Sequence, residues 1–281
     1  MTEKPADASG YTPEDLERVR GTCLYVASKL GDLMEDLVIV GGLVPSLLID
    51  QRVLPEGVAP HAGTADLDLG LALAVLNEEH YRKLTERLRA AGLKQDLNED
   101  GKPTAQRWRI GEGPVVTVDF LIPPSREGDR GGRLRNIEKD FAAVITPGLH
   151  LAFVDRRRVI LEGATILGEQ TTRSVYVCGP GAYVVLKALA FRGRGENKDA
   201  YDLYYVLRNY GTGTDEVAKQ LQELGSDPSI VSALEILKED FSLQNGVGPR
   251  RLADFVFRRP DDRLQTEMVS LVAALLKRIG A

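Results

Sequence analysis

The chain's first extended regular pattern begins at Thr12. Thr12-Pro13-Glu14-Asp15 supplies a capping hydroxyl, a first-turn proline and two first-turn acids, which predicts a helix running to about Leu30. "DLVIVGG" breaks that period. Its uninterrupted apolar run from Leu37 to Val40, closed by Gly41-Gly42, predicts a short buried strand, and "LVPSLLID" predicts a short helix behind it. The next strand spans 66–73. "NEEHYRKLTERLRAAG" has a capping Asn77, first-turn acids and a terminating Gly92, so it predicts a helix. "AQRWRI" and "VVTVDFLI" predict strands joined by a turn at 111–114, and the glycine- and arginine-rich segment 123–135 predicts a loop. Strands are expected again near 159–161 and 174–177. After Gly179-Pro180 the period is helical throughout, with helices expected over 182–191, 199–209, 214–224, 228–239 and 262–279. The expected fold class is α/β (α+β): an N-terminal α/β domain with a small mixed sheet, residues 1–178, followed by a mostly helical C-terminal domain, residues 179–281.

Composition narrows the function classes. A chain of 281 residues is long enough for two cores. Its net charge of −5 excludes a generally polyanion-binding protein, although arginine clusters can still create local fields. Two distant cysteines, Cys23 and Cys178, offer neither a disulfide framework nor a metal-binding pair, which fits a reducing, cytoplasmic setting. His61, His80 and His150 are too scattered for a zinc site. The polar N-terminus has no apolar signal core, and no run approaches the ~18 apolar residues of a membrane span.

The chemistry is concentrated in "GTADLDLG". Residues i and i+2 of a strand share a face, so Asp66 and Asp68 stand roughly 7 Å apart between Cα atoms. Like charges held that close repel unless a cation lies between them, and Mg2+ suits a carboxylate pair that also faces phosphates. The same spacing also describes two acids on a solvated strand face with leucines inward. Gly41-Gly42 allows close backbone approach and precedes a helix N-terminus, where an anion is favoured; a plain tight turn reads the same way. Asp119 is a lone acid in an apolar strand. It is a third metal carboxylate, an exposed edge residue, or the partner of an arginine.

Taken in order, these motifs resemble the polymerase-β-type nucleotidyltransferase fold, and within it the AbiEii/AbiGii-type nucleotidyltransferase toxins of toxin–antitoxin and phage-defence systems. The matching residues are Gly41-Gly42, Thr64-Ala65-Asp66-Leu67-Asp68, Asp119, Lys187 and "RGRGENKDAYDLYYVL", where Lys198, Asp199, Asp202 and Leu203 complete the final motif. The resemblance spans residues 38–210. It implies one or two Mg2+ ions on Asp66, Asp68 and Asp119, with an NTP as substrate. It further implies phosphate contacts from Gly41, Gly42 and Ser46 or Thr64, and charge neutralisation by Lys187. Lys198 and Asp199 join the nucleotide-binding set, and Asp202 orients Lys187 or acts as a base. The implied acceptor is the 3′ end of tRNA, and the implied protein partner is a cognate antitoxin.

Two departures stand out: Ala62 replaces the motif's arginine, with His61 beside it, and Leu43 replaces the threonine after Gly-Gly. They keep open a catalytically weak nucleotide- or antitoxin-binding protein. The shared N-terminal fold keeps open an antibiotic-type, small-molecule adenylyltransferase. Arg126, Arg130, Arg133 and Arg135, Arg156 to Arg158, and Arg250-Arg251 are the basic clusters that an RNA acceptor would use. Tyr201, Leu203, Tyr204, Val206 and Leu207 are read as helix packing, and Trp108 and Phe120 as core.

Overall fold

Strand β1 (Leu37–Val40) is buried at all four positions, as its unbroken apolar sequence requires of a strand covered on both faces. A computed structural model describes residues 5–72, 78–110 and 116–280; Asn77 and the turn at 111–114 lie outside these. Around β1 the elements follow in chain order. They are α1 (Pro13–Leu30), α2 (Val44–Leu48), β2 (Asp66–Leu71), α3 (Glu78–Ala90), β3 (Leu93–Leu97), β4 (Pro103–Ile110) and β5 (Thr117–Ile122). Next come β6 (Leu134–Glu138), β7 (Phe141–Ile145), α4 (Leu151–Val154), β8 (Arg156–Ala164) and β9 (Gln170–Cys178). Six helices complete the chain: α5 (Pro180–Arg194), α6 (Asn197–Asn209), α7 (Thr214–Glu223), α8 (Pro228–Phe241), α9 (Val247–Phe257) and α10 (Asp262–Ile279). The class is mixed α/β, as expected. No described helix is long and apolar enough to cross a membrane.

The chain forms two compact units. The first contains Pro13–Leu43 and Gly63–Val177; the second contains Pro5–Thr12, Val44–Ala62 and the chain from Cys178 onward. The first is built on a mixed sheet of order β3-β4-β5-β2-β1-β9-β8, with β7 also paired to β5 and β6 to β7. The β1–β2 and β4–β5 pairs are antiparallel, while β2–β5 and β1–β9 are parallel. Along β2 the leucines at 67, 69 and 71 are fully buried, leaving Asp66, Asp68 and Gly70 on the other face, as a period of two dictates. Tyr25 donates from its hydroxyl to the Ala91 carbonyl at 2.7 Å, tying α1 to the turn after α3. Phe120 meets Phe141 at a centroid separation of 5.1 Å and Trp108 is 1 % exposed, so both read as core from the sequence and both are.

Strands β3 and β7 carry no expectation from the sequence, and β6 begins at Leu134, inside the segment 123–135 expected as a loop. In β3 and β6, "LKQDL" and "LRNIE", most positions are polar and partly exposed, so neither alternation nor an apolar run marks them. "FAAVI" of β7 is apolar but only five residues long, too short to separate strand from helix. Strands β8 and β9 extend well beyond their apolar centres because their outer ends are polar.

The second unit is helical. Helix α5 opens with Pro180 at its first turn and stops where Gly195, at φ 65°, closes onto the Phe191 carbonyl at 2.8 Å. Helix α6 starts two residues later and folds back on α5, with α8 on another face of α5 and α9 against α6. Tyr201, Leu203, Tyr204, Val206 and Leu207 are all buried in this packing. Helix α9, "VGPRRLADFVF", is not marked by the sequence, since Pro249 and two arginines obscure its apolar stripe.

Candidate functional site

The candidate centre lies in the first unit and follows from sheet register. Val40, Asp68, Asp119 and Arg107 form one row across β1, β2, β5 and β4, each aligned with the next. Residues aligned across neighbouring strands point to the same face, so Asp68 and Asp119 must meet, and Asp66 joins them from two positions earlier in β2. One carboxylate oxygen from each of Asp66, Asp68 and Asp119 lies within 4.8 Å of the others. Asp66 is 6 % exposed and Asp119 9 %, with Asp68 half-buried. These acids therefore do not occupy an open solvated face. Three hard oxygen donors converging at one spot fit a hard divalent cation such as Mg2+.

Two neighbours shape the triad. Gly41, at φ 71°, places its backbone so close to Asp68 that an added Cβ would stand 2.0 Å from Asp68 Oδ2. Only glycine satisfies both the left-handed conformation and that approach. Gly41 therefore has a structural reason that the sequence did not reveal: it makes room for a carboxylate. Thr64, 3 % exposed, donates its hydroxyl hydrogen to Asp66 Oδ1 at 2.9 Å, which orients Asp66 from within the loop that feeds β2.

Arg107 went unnoticed in the sequence. It lies directly opposite Asp119, and its guanidinium forks onto both carboxylate oxygens: Nε to Oδ1 at 2.7 Å and Nη2 to Oδ2 at 2.6 Å. The hydrogen bonds to Asp119 push the Arg107 pKa up. Partial burial opposes this, and the charges of Asp119, Asp66 and Asp68 add to it. The arginine partner left open for Asp119 is thus present, alongside the other two acids. The alternation in "AQRWRI", with Trp108 turned into the core, was the available signal: it obliges Arg107 to face the other way.

The remaining site residues expected from the sequence fall in the second unit, except Gly42, which is buried beside Gly41. Ser46 is 8 % exposed on α2. Lys187 of α5 contacts Asp199 Oδ1 at 2.9 Å and Asp202 Oδ2 at 2.6 Å, both carboxylates being fully buried. Asp202 Oδ1 also receives Lys198 Nζ at 2.7 Å and faces His61 Nε2 at 2.9 Å, while Arg194 forks onto Asp199 at 2.8 Å. Burial pushes the Lys187 ammonium down, but Asp199 and Asp202 outweigh it and hold the group above its ordinary range. Burial likewise favours a neutral Asp202, yet Lys187 and Lys198 hold its carboxyl well below the usual range. His61 is different: burial dominates and lowers its pKa to about 4, against the hydrogen bond to Asp202.

The arginine clusters are largely engaged. Arg135 binds Asp129 and Ser125, Arg156 stacks on Tyr176 with 3.7 Å to the ring centroid, Arg158 reaches Ser174, and Arg251 reaches the Gly195 carbonyl. Arg126, Arg130, Arg133 and Arg250 are exposed.

No family model matches the chain. Over 157 residues it is 27% identical to an uncharacterized protein of Aquifex aeolicus (strain VF5), covering 52% of this chain and 74% of that one. Among solved structures, an antigenic nucleotidyltransferase-like protein from Paracoccidioides brasiliensis aligns over 89% of this chain and 92% of its own, at 16% identity and a TM-score of 0.38.

Proposed function

We propose that the chain is a divalent-metal-dependent nucleotidyltransferase that moves a nucleoside monophosphate from an NTP to an acceptor hydroxyl. The observation that carries this reading is the convergence of Asp66, Asp68 and Asp119 beside a glycine turn, with one oxygen from each within 4.8 Å of the others. Bound there, a Mg2+ ion supplies charge neutralisation for the triphosphate and for in-line displacement at the α-phosphate. In the transfer, the acceptor oxygen bonds to the α-phosphorus as the bond to pyrophosphate breaks. Asp119 is the carboxylate assigned to take the acceptor's proton as the new bond forms. Thr64 keeps Asp66 oriented, and Gly41 leaves space for Asp68. Lys187, Lys198, Asp199 and Asp202 enter as the charge network of the second unit. By the resemblance, the acceptor is a tRNA 3′ end, the role that of a toxin, and the protein partner an antitoxin.

The test is incubation with each α-labelled NTP, Mg2+ and total tRNA, with small hydroxylated antibiotics as a parallel acceptor set. The expected result is label on RNA from wild type and none from Asp66→Ala. Label on a small product selects the antibiotic-type transferase. Equal transfer by Asp66→Ala defeats the metal assignment. A second reading, nucleotide binding with little turnover, is favoured by the Arg107 fork on Asp119 and by Ala62 and Leu43. Calorimetric binding of nucleotide without transfer to any acceptor selects it.

A further inference from the structure

We propose that Arg107 is the resident counter-cation of the carboxylate triad and that it competes with a divalent ion for Asp119. This rests on the metal reading of the triad given above. The register favours the pairing: Arg107 and Asp119 are cross-strand partners in β4 and β5, which brings both side chains to one face. The fork engages both Asp119 oxygens, at 2.7 and 2.6 Å, so whichever oxygen faces a metal already accepts a hydrogen bond from the guanidinium. The pair is well shielded, with the Arg107 side chain 23% and the Asp119 side chain 12% exposed, so solvent screens the interaction only in part.

Three carboxylates with no cation would repel strongly in such a setting. Arg107 relieves this in the metal-free protein by neutralising one of the three. The same contact opposes metal entry in two ways. It holds Asp119 by a bidentate bond, and it places a positive charge next to an incoming positive ion. Arg107 is thus a positioning residue that sets the metal affinity of the site. The half-buried Asp68, with Asp66, forms the two-carboxylate landing point, and Asp119 is recruited afterwards.

The experiment measures Mn2+ binding by electron paramagnetic resonance of the free ion, without nucleotide and at constant ionic strength. Wild type, Arg107→Gln, Arg107→Lys and Asp66→Asn are compared, each verified as folded by its melting curve. Arg107→Gln is expected to bind Mn2+ about tenfold more tightly than wild type, since one adjacent positive charge and its fork are gone. Arg107→Lys keeps the charge but loses the fork, and should fall between the two. Unchanged or weaker binding in Arg107→Gln overturns the proposal and makes Arg107 a simple brace. Should Arg107→Gln not fold, Arg107→Lys decides: binding no tighter than wild type overturns it. If neither wild type nor any variant binds Mn2+, or if Asp66→Asn binds as wild type does, the metal reading itself fails and this inference falls with it.

Discussion

Gly41 shows how one side chain's absence can be a structural requirement. An added methyl at this position would lie inside the Asp68 carboxylate, on a backbone that already disfavours any L-residue. Gly41→Ala should therefore lower stability by about 1–3 kcal/mol, read as a shift in the urea midpoint. It should also weaken Mn2+ binding, because Asp68 has to move. A midpoint unchanged within error would mean that the turn relaxes freely and that the close approach is incidental. At the same scale, the two acids in "ADLDL" were legible because charge in a buried strand demands an explanation. Arg107 was not, because arginine in a strand is ordinary until its partner across the sheet is known. Cross-strand partners are set by register, and the sequence between β4 and β5 does not by itself fix that register.

Ion pairs join apolar packing in holding α5 against α6. Lys187 sits between two carboxylates that are both fully buried. Removing its charge leaves these acids with fewer cations, so Lys187→Met should cost about 3–5 kcal/mol in a denaturation experiment. A loss below 1 kcal/mol would show that Lys198 and Arg194 compensate. The same network gives a pH signature. His61 titrates at about 4 in the folded protein, whereas an unfolded chain binds its proton near the ordinary value of about 6.5. Between those limits the unfolded state holds more protons, so stability rises with pH across that window and is level above it. Going from pH 7 to pH 5 should remove roughly 2 kcal/mol through this group, and His61→Gln should flatten the slope measured by urea titration at each pH. An unaltered slope would assign the pH dependence to other groups. The helices themselves were legible from their period of 3.6 and their end signals, as in α1 and α10. Helix α9 and the polar strands β3 and β6 were not, because their order comes from neighbours rather than from local pattern.

For the molecule as a whole, the distribution of segments matters more than the count of elements. The second unit takes in 5–12 and 44–62 as well as the C-terminal helices. From these segments come His61, Gln51, which accepts from the Tyr205 hydroxyl at 2.8 Å, the Ala62 amide bonded to the Tyr201 hydroxyl at 2.9 Å, and Tyr11, which packs on Phe255. A fragment of residues 179–281 lacks all of them. It should melt at a clearly lower temperature than the second unit does in the full chain, with broadened tyrosine resonances. A fragment as stable as the full chain would show that the earlier segments only decorate it. A short apolar stretch such as "LVPSLLID" announces a helix but not which core receives it, so this membership could not be read from the letters.

This interleaving bears on how the protein is made. During synthesis, residues 44–62 leave the ribosome more than a hundred residues ahead of the helices that receive them, and His61 precedes its partner Asp202 by 141 positions. A nascent chain must therefore hold this segment without its partners until α6 has emerged. Separations of this size slow folding and lengthen exposure to aggregation. Stalling the ribosome shortly before α6 should leave that stretch open to protease, and extending the nascent chain through α9 should close it.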